Sequence, residues 1–422
     1  MDMIKEIKTH SVVNLLISSA LVMSTFTQLR FPGLPIGVSD LMFLSYIGYS
    51  LCIILFFKKN LRLYTIYQAT RITFLPVVIF FLVFVFLMCV GTFLSLVNNH
   101  DTGLAPYHNL LAFSYLMTLF LICFIRGDID IHLTAFYTVI ILAVVVSIMV
   151  ISSLYTRNFF GVDLYYLWTD RLMLFTRSPN HLADFIAPLP FLLLHYFCKC
   201  KSIPFKGTLA ILIFFVVLAG VMSQSKATLL AWFIAVSFLS FRLISSSVYT
   251  RYIVFFLICF LLFSSLIYHN ELYSFIHSSL KNMMGSGDTL HLPHGLVYDL
   301  YVRSSLFFNA IDSVSFSPFF GNGAGASTGI TGPFLGRESH NHIADVLIMT
   351  GYVGLLAYLG LMTFLAMQVV RSRNIIFMAI FIIISVVSMF HFQMRQPLFW
   401  FYLIFISYEA SLATHLNQLW SK

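Results

Sequence analysis

The sequence predicts an all-α, polytopic integral membrane protein with about twelve transmembrane helices. Three observations lead there. The 422 residues are 59% hydrophobic and only 9% charged, whereas a soluble domain carries roughly 25% charged residues. Mean hydropathy is +0.92, more than a buried core in water accounts for, so lipid must solvate much of the surface. Apolar runs, each long enough to span a bilayer, recur along the whole chain, and 46 phenylalanines suit both acyl chains and helix–helix packing.

In order, the runs fall at 11–29, 39–57, 74–97, 109–125, 133–153, 182–198, 207–223, 227–241, 252–268, 342–370, 375–392 and 397–415. The first run shows no small-residue cleavage site and is read as a retained helix. Residues 1–422 form a single transmembrane domain, interrupted by a long loop at 269–341. That loop is partly helical, around Tyr298 to Ile311, and its phenylalanines (Phe307, Phe308, Phe316, Phe319, Phe320) predict a folded cap facing the membrane.

Basic residues set the orientation. Lys5, Lys8, Lys58, Lys59, Arg62, Arg71, Arg126, Lys199, Lys201, Lys206, Arg242, Arg251, Arg371, Arg373 and Lys422 all fall on one side if the spans alternate. The positive-inside rule makes that side cytoplasmic, together with both termini. The loop 269–341, the segment 154–181 and the turn around Arg395 then face outward.

The net charge of +8 is dispersed around apolar runs, with no clustered basic face, so no nucleic-acid partner is expected. Cys198 and Cys200 form a pair too sparse for zinc, and the outward segments hold no cysteine, which argues against a disulfide framework.

The outward side gathers polar groups at helix ends. Ser223-Gln224-Ser225 makes a tight hairpin before Lys226. A lysine at a helix N-terminus can support a bound anion, or can snorkel to the headgroups. Arg303 lies in the helical part of the long loop, where a plain surface position is the alternative. Gly321-Asn322-Gly323-Ala324-Gly325 lets backbone approach closely but lacks the lysine and strand of a phosphate loop. His340-Asn341-His342 enters the tenth run with Asp345 one turn in. Two histidines at this spacing lack the further ligands of a metal site, and a neutral histidine there can act as a base. Gly351 and Gly354 are expected to thin that helix for close packing. Arg177, Asn180, Asp184 and Arg395 share the same face. Asp184 and Asp345 lie close to apolar cores, so each calls for a polar partner or for water.

Taken together these residues resemble the superfamily of bacterial O-antigen polymerases and O-antigen ligases. The likeness runs over roughly 175–370 and begins with His340-Asn341, Gly351 and Gly354. It continues with Lys226 and Leu230, where that family has arginine and leucine, and with Pro179-Asn180-His181-Leu182-Ala183. It ends with Arg303 ahead of Ser317-Pro318-Phe319-Phe320-Gly321-Asn322-Gly323. Lysine in place of arginine keeps the charge and loses bidentate geometry.

The resemblance implies a metal-independent, cofactor-free, inverting glycosyltransferase of the bacterial inner membrane, with its active site facing the periplasm. The donor would be an oligosaccharide on undecaprenyl diphosphate. Lys226 and Arg303 would hold the diphosphate, and His340 would take or orient the acceptor hydroxyl. Asn341, Arg177, Arg395 and Asn180 would be further substrate contacts. Thr27 to Gly37 and Gly332 to Glu338 look like surface-polysaccharide polymerases, so the acceptor would be another lipid-linked repeat unit, with a chain-length regulator as a further partner. Ligation to lipid A-core is the alternative. A lipid-linked glycan transporter is a third reading, disfavoured because the polar groups gather at one face rather than at the midplane of internal repeats.

Overall fold

In the computed structural model the described residues are 2–28, 37–56, 66–97, 105–126, 129–166, 171–243, 296–324 and 339–420. They are mostly helical. The first nine helices are α1 (Asp2–Met23), α2 (Val38–Phe56), α3 (Ile66–Val97), α4 (Ala105–Arg126), α5 (Ile131–Ser153), α6 (Pro179–Ile186), α7 (Leu189–Lys199), α8 (Ile203–Met222) and α9 (Lys226–Leu243). Four more follow: α10 (Leu296–Ser313), α11 (His342–Arg371), α12 (Ile375–Ser388) and α13 (Pro397–Trp420). One small antiparallel hairpin, β1 (Asn158–Phe159) with β2 (Val162–Asp163), follows α5.

Among the described residues, six stretches are long and apolar enough to cross a membrane: Thr73–Val97, Asn109–Arg126, Ile131–Ser153, Pro179–Lys199, Ile203–Met222 and His342–Arg371. Shorter apolar helices start near Val12, Val38, Lys226, Ile375 and Pro397. These positions coincide with eleven of the runs expected from sequence; the run at 252–268 lies outside the described residues. Of the long loop at 269–341, α10 is described, and it covers and slightly extends the helix expected around Tyr298 to Ile311.

Two spans are discontinuous, and each break has a local cause. The sixth run divides into α6 and α7 because Pro188 and Pro190 lack the N–H groups that would continue the helix. Side chains from neighbouring helices cap the break: Trp232 Nε1 donates to the Ala187 carbonyl at 2.8 Å, and the Tyr402 hydroxyl to the Phe185 carbonyl at 3.0 Å. In α11 the break is Gly351, with φ 65° and ψ −167°. There the segment after α10 docks into the helix. Asn322 N–H donates to the Ile348 carbonyl at 2.7 Å, and Tyr352 N–H to the Pro318 carbonyl at 2.8 Å.

That docking gives the glycine-rich stretch its role. Gly321 and Gly323 have φ of 71° and 85°, and a Cβ on either would collide with backbone of α11 or α3. Gly351 therefore opens its helix to a loop rather than thinning it for a second helix. Gly354 accommodates Thr350 of its own helix.

The core is aromatic. Phe81 meets Trp400 edge-on at 4.8 Å, and Phe84 meets Phe113 at 5.0 Å. These contacts tie α3, α4 and α13 together, and such pairs add about 0.5–1.5 kcal/mol each beyond burial.

Candidate functional site

A cavity of about 550 Å³ opens among the end of α1 and the starts of α2, α4, α6 and α13. Its wall includes Arg177, His181 and Asp184 from α6 and the residue before its cap, Asp40 from α2, Asn109 and Tyr115 from α4, and Gln393 and Arg395 from the turn between α12 and α13. The volume lies within the range of sites that enclose a ligand of roughly 300–1,000 Å³.

Helix α6 is built to present its charges here. Ser178 caps it, its hydroxyl accepting from His181 N–H at 3.2 Å, and Pro179 opens the first turn with a preset φ. Arg177 therefore sits just outside the helix, its own N–H donating to Thr27 Oγ1 at 2.8 Å. His181 and Asp184 are one turn apart and both reach the cavity. Asp184 is 8% exposed, and its Oδ1 lies 4.0 Å from Nε2 of the buried His391. Asp40 is engaged locally, its Oδ2 accepting from Gly37 N–H at 2.7 Å.

The turn that carries Arg395 is fixed from four directions. Asn341 Nδ2 donates to the Met389 carbonyl at 3.0 Å, and Trp400 Nε1 to the Met394 carbonyl at 2.7 Å. Gln393 N–H donates to His342 Nε2 at 2.5 Å, which makes that nitrogen an acceptor and leaves Nδ1 to face the Tyr358 hydroxyl at 3.2 Å. Arg395 itself donates to Asn109 Oδ1 at 2.8 Å and stacks over Phe392 at 5.4 Å. Asn109 is held in turn by donating to the Ala324 carbonyl at 2.7 Å.

The sequence-derived candidates divide into two groups. Arg177 and Arg395 line the cavity. Lys226 and Asn180 meet indirectly, through Arg171. The Arg171 guanidinium donates to Asn180 Oδ1 at 2.9 Å and to the Ser223 and Gln224 carbonyls at 2.9 and 3.1 Å. It thereby pins the hairpin that opens α9 to the helix carrying Asp184. Lys226 is exposed at the start of α9.

His340 is exposed, with φ 56°, two residues before α11. Asn341 serves as the N-cap of that helix, its Oδ1 accepting from Ile343 and Ala344 N–H at 2.9 and 3.1 Å. Arg303 lies on α10, which packs against α11; its side chain lies outside the described residues. Asp345 is buried and accepts from Ser339 N–H at 2.9 Å, closing the turn that contains His340.

No sequence pattern singled out Arg171, Asn109 or Asp40, and His181 entered only within the Pro179-to-Ala183 likeness. Arg171 and Asn109 act on backbone carbonyls of distant segments, which no local pattern announces. His181 was legible as the residue one turn before Asp184 on a capped helix. Among the described residues, no group of three or more His, Cys, Asp or Glu is placed to hold a metal ion.

At the other end of the bundle is a further buried carboxylate. Glu409 of α13 is 7% exposed and sits 2.5 Å from His132 Nδ1, 3.0 Å from Lys199 Nζ and 3.9 Å from His195 Nε2. It joins the start of α5 to the end of α7.

No protein-family model matches the chain, and no curated protein matches it.

Proposed function

We propose that the chain is a membrane-embedded glycosyltransferase that uses a glycan on undecaprenyl diphosphate, of the O-antigen polymerase and ligase type. The observation that carries this reading is the cavity at one end of the helices, walled by two arginines, a histidine and a buried carboxylate. Guanidinium groups suit a diphosphate, whose charge grows as the glycosyl bond breaks. A carboxylate nearby suits the proton lost by the attacking hydroxyl.

In this reading about twelve spans cross the inner membrane, both termini are cytoplasmic, and the cavity opens to the periplasm. Arg177 and Arg395 face the donor from the cavity wall. Lys226, which stands outside the cavity wall, and Arg303 supply further positive charge for the diphosphate, as the resemblance implies, and His340 orients the acceptor. Asn180 and Asn341 act through structure, the first through Arg171 and the second by capping α11 and holding the Arg395 turn. The acceptor is the sugar hydroxyl of another lipid-linked repeat unit, which makes the chain a polymerase; the resemblance of Thr27 to Gly37 and of Gly332 to Glu338 favours this over lipid A-core. A chain-length regulator is a further partner.

The test is reconstitution in liposomes with the lipid-linked repeat unit alone, followed by separation of products by size. A ladder of longer lipid-linked glycans supports the polymerase. Transfer only after lipid A-core is added makes the chain a ligase. No transfer in either condition contradicts the enzyme and favours a transporter.

A further inference from the structure

Resting on the glycosyl-transfer reading, we propose that Asp184 is the base that takes the proton from the acceptor hydroxyl, with His391 positioning it. Three observations converge. A carboxylate buried inside a membrane-embedded bundle is costly to keep, and such residues mark function by default. Asp184 lies in the candidate span Pro179–Lys199 and still reaches the cavity wall. It sits just before the proline break between α6 and α7, and interrupted helices at membrane depth belong beside ligand-holding cavities. Finally, Arg177 and Arg395 share the wall with Asp184, so leaving-group cations and a proton acceptor face one space.

The step balances within that space. The acceptor oxygen forms a bond to the anomeric carbon as its proton passes to an Asp184 oxygen. The bond from that carbon to the diphosphate oxygen breaks, and the electron pair leaves with the diphosphate toward the guanidinium groups. The imidazole of His391, 4.0 Å from Asp184 Oδ1, is beyond hydrogen-bond distance and positions the carboxylate through charge, in its protonated form. His340, exposed on the segment before α11, orients the acceptor rather than removing its proton.

The experiment compares full-length wild type, Asp184→Asn, Asp184→Ala, Asp184→Glu and His391→Gln in liposomes. The donor is the lipid-linked repeat unit extracted from cells lacking this chain. Binding of undecaprenyl diphosphate is followed separately by native mass spectrometry. Asp184→Asn is expected to bind the diphosphate like wild type and to turn over about 10²–10⁴-fold more slowly. Asp184→Glu keeps measurable turnover, and His391→Gln lowers kcat with KM unchanged. Formate restores part of the turnover of Asp184→Ala in a dose-dependent way, which a purely structural carboxylate would not allow.

Turnover of Asp184→Asn equal to wild type, or failure of formate to rescue a folded Asp184→Ala, overturns the assignment while the glycosyl-transfer reading stands. If Asp184→Asn fails to fold, the Asp184→Glu and His391→Gln pair decides, and wild-type kcat in His391→Gln together with no turnover in a folded Asp184→Glu overturns it. A wild type without transfer overturns the reading and the assignment together.

Discussion

Asp184 and Glu409 are both carboxylates buried inside apolar helices, and they lie toward opposite ends of the bundle. Glu409 begins about 18 Å along α13 from the cavity end and is met by Lys199, His132 and His195 within 4 Å. Its charge is matched by protein, and what it does is join α5, α7 and α13. Asp184 has the His391 imidazole 4.0 Å from its Oδ1 and lies on the wall of the cavity. Glu409 is a fastening, joined to charge from two other helices, and Asp184 stands on the wall of a space that can hold a ligand, which is why the proposed chemistry is assigned to Asp184.

The largest expected effect is on turnover. Asp184→Asn should slow transfer about 10²–10⁴-fold, or roughly 3–5 kcal/mol in the barrier, with little change in thermal unfolding in detergent. A parallel loss of stability would make Asp184 a fastening like Glu409.

Next comes Gly321→Ala, which forces a Cβ onto the Thr350 and Gly351 backbone at a φ of 71°. It should cost about 3–5 kcal/mol of stability from strain and overlap together, read as a lowered unfolding temperature.

Glu409→Gln keeps the shape and removes the charge. Because Lys199 is 53% and His132 48% exposed, water takes over much of their solvation, and the expected loss is about 1–3 kcal/mol. Turnover per folded molecule should stay unchanged; a collapse of kcat would erase the distinction between the two ends.

The smallest effect is that of Asn109→Ala, which frees Arg395 from its 2.8 Å partner. Donor KM should rise about 5–10-fold, corresponding to roughly 1 kcal/mol, with stability nearly constant.

The helices were legible in the sequence because each apolar run carries its own evidence of length and composition. The breaks were less so. Ala187-Pro188-Leu189-Pro190 spells the end of α6, yet the surrounding apolar run masks it. Gly351 reads as a small residue for helix packing until the docked segment at Pro318 to Gly323 explains its left-handed φ.

For the site, sequence singled out Arg177, Arg395 and Asp184, all cavity-lining, because charge in an apolar context is rare enough to notice. It placed Asn341 and Asn180 among substrate contacts, and the structure shows Asn341 capping α11 and Asn180 bound to Arg171. Amides serve backbone and ligand equally well, so their residue type alone does not separate the two. The link from Ala324 through Asn109 to Arg395 joins segments 215 and 286 positions apart, beyond the reach of any local pattern.

On the proposed function, the lipid diphosphate sits in the arginine-walled cavity. The most direct measurement is photocrosslinking with an undecaprenyl diphosphate analogue bearing a diazirine near the phosphates, followed by peptide mapping. Labels are expected on cavity residues such as Tyr115, His181 and Gln393, and are lost when Arg177 and Arg395 are both replaced by alanine. Labels confined to other parts of the chain, or unchanged by that double substitution, would contradict it.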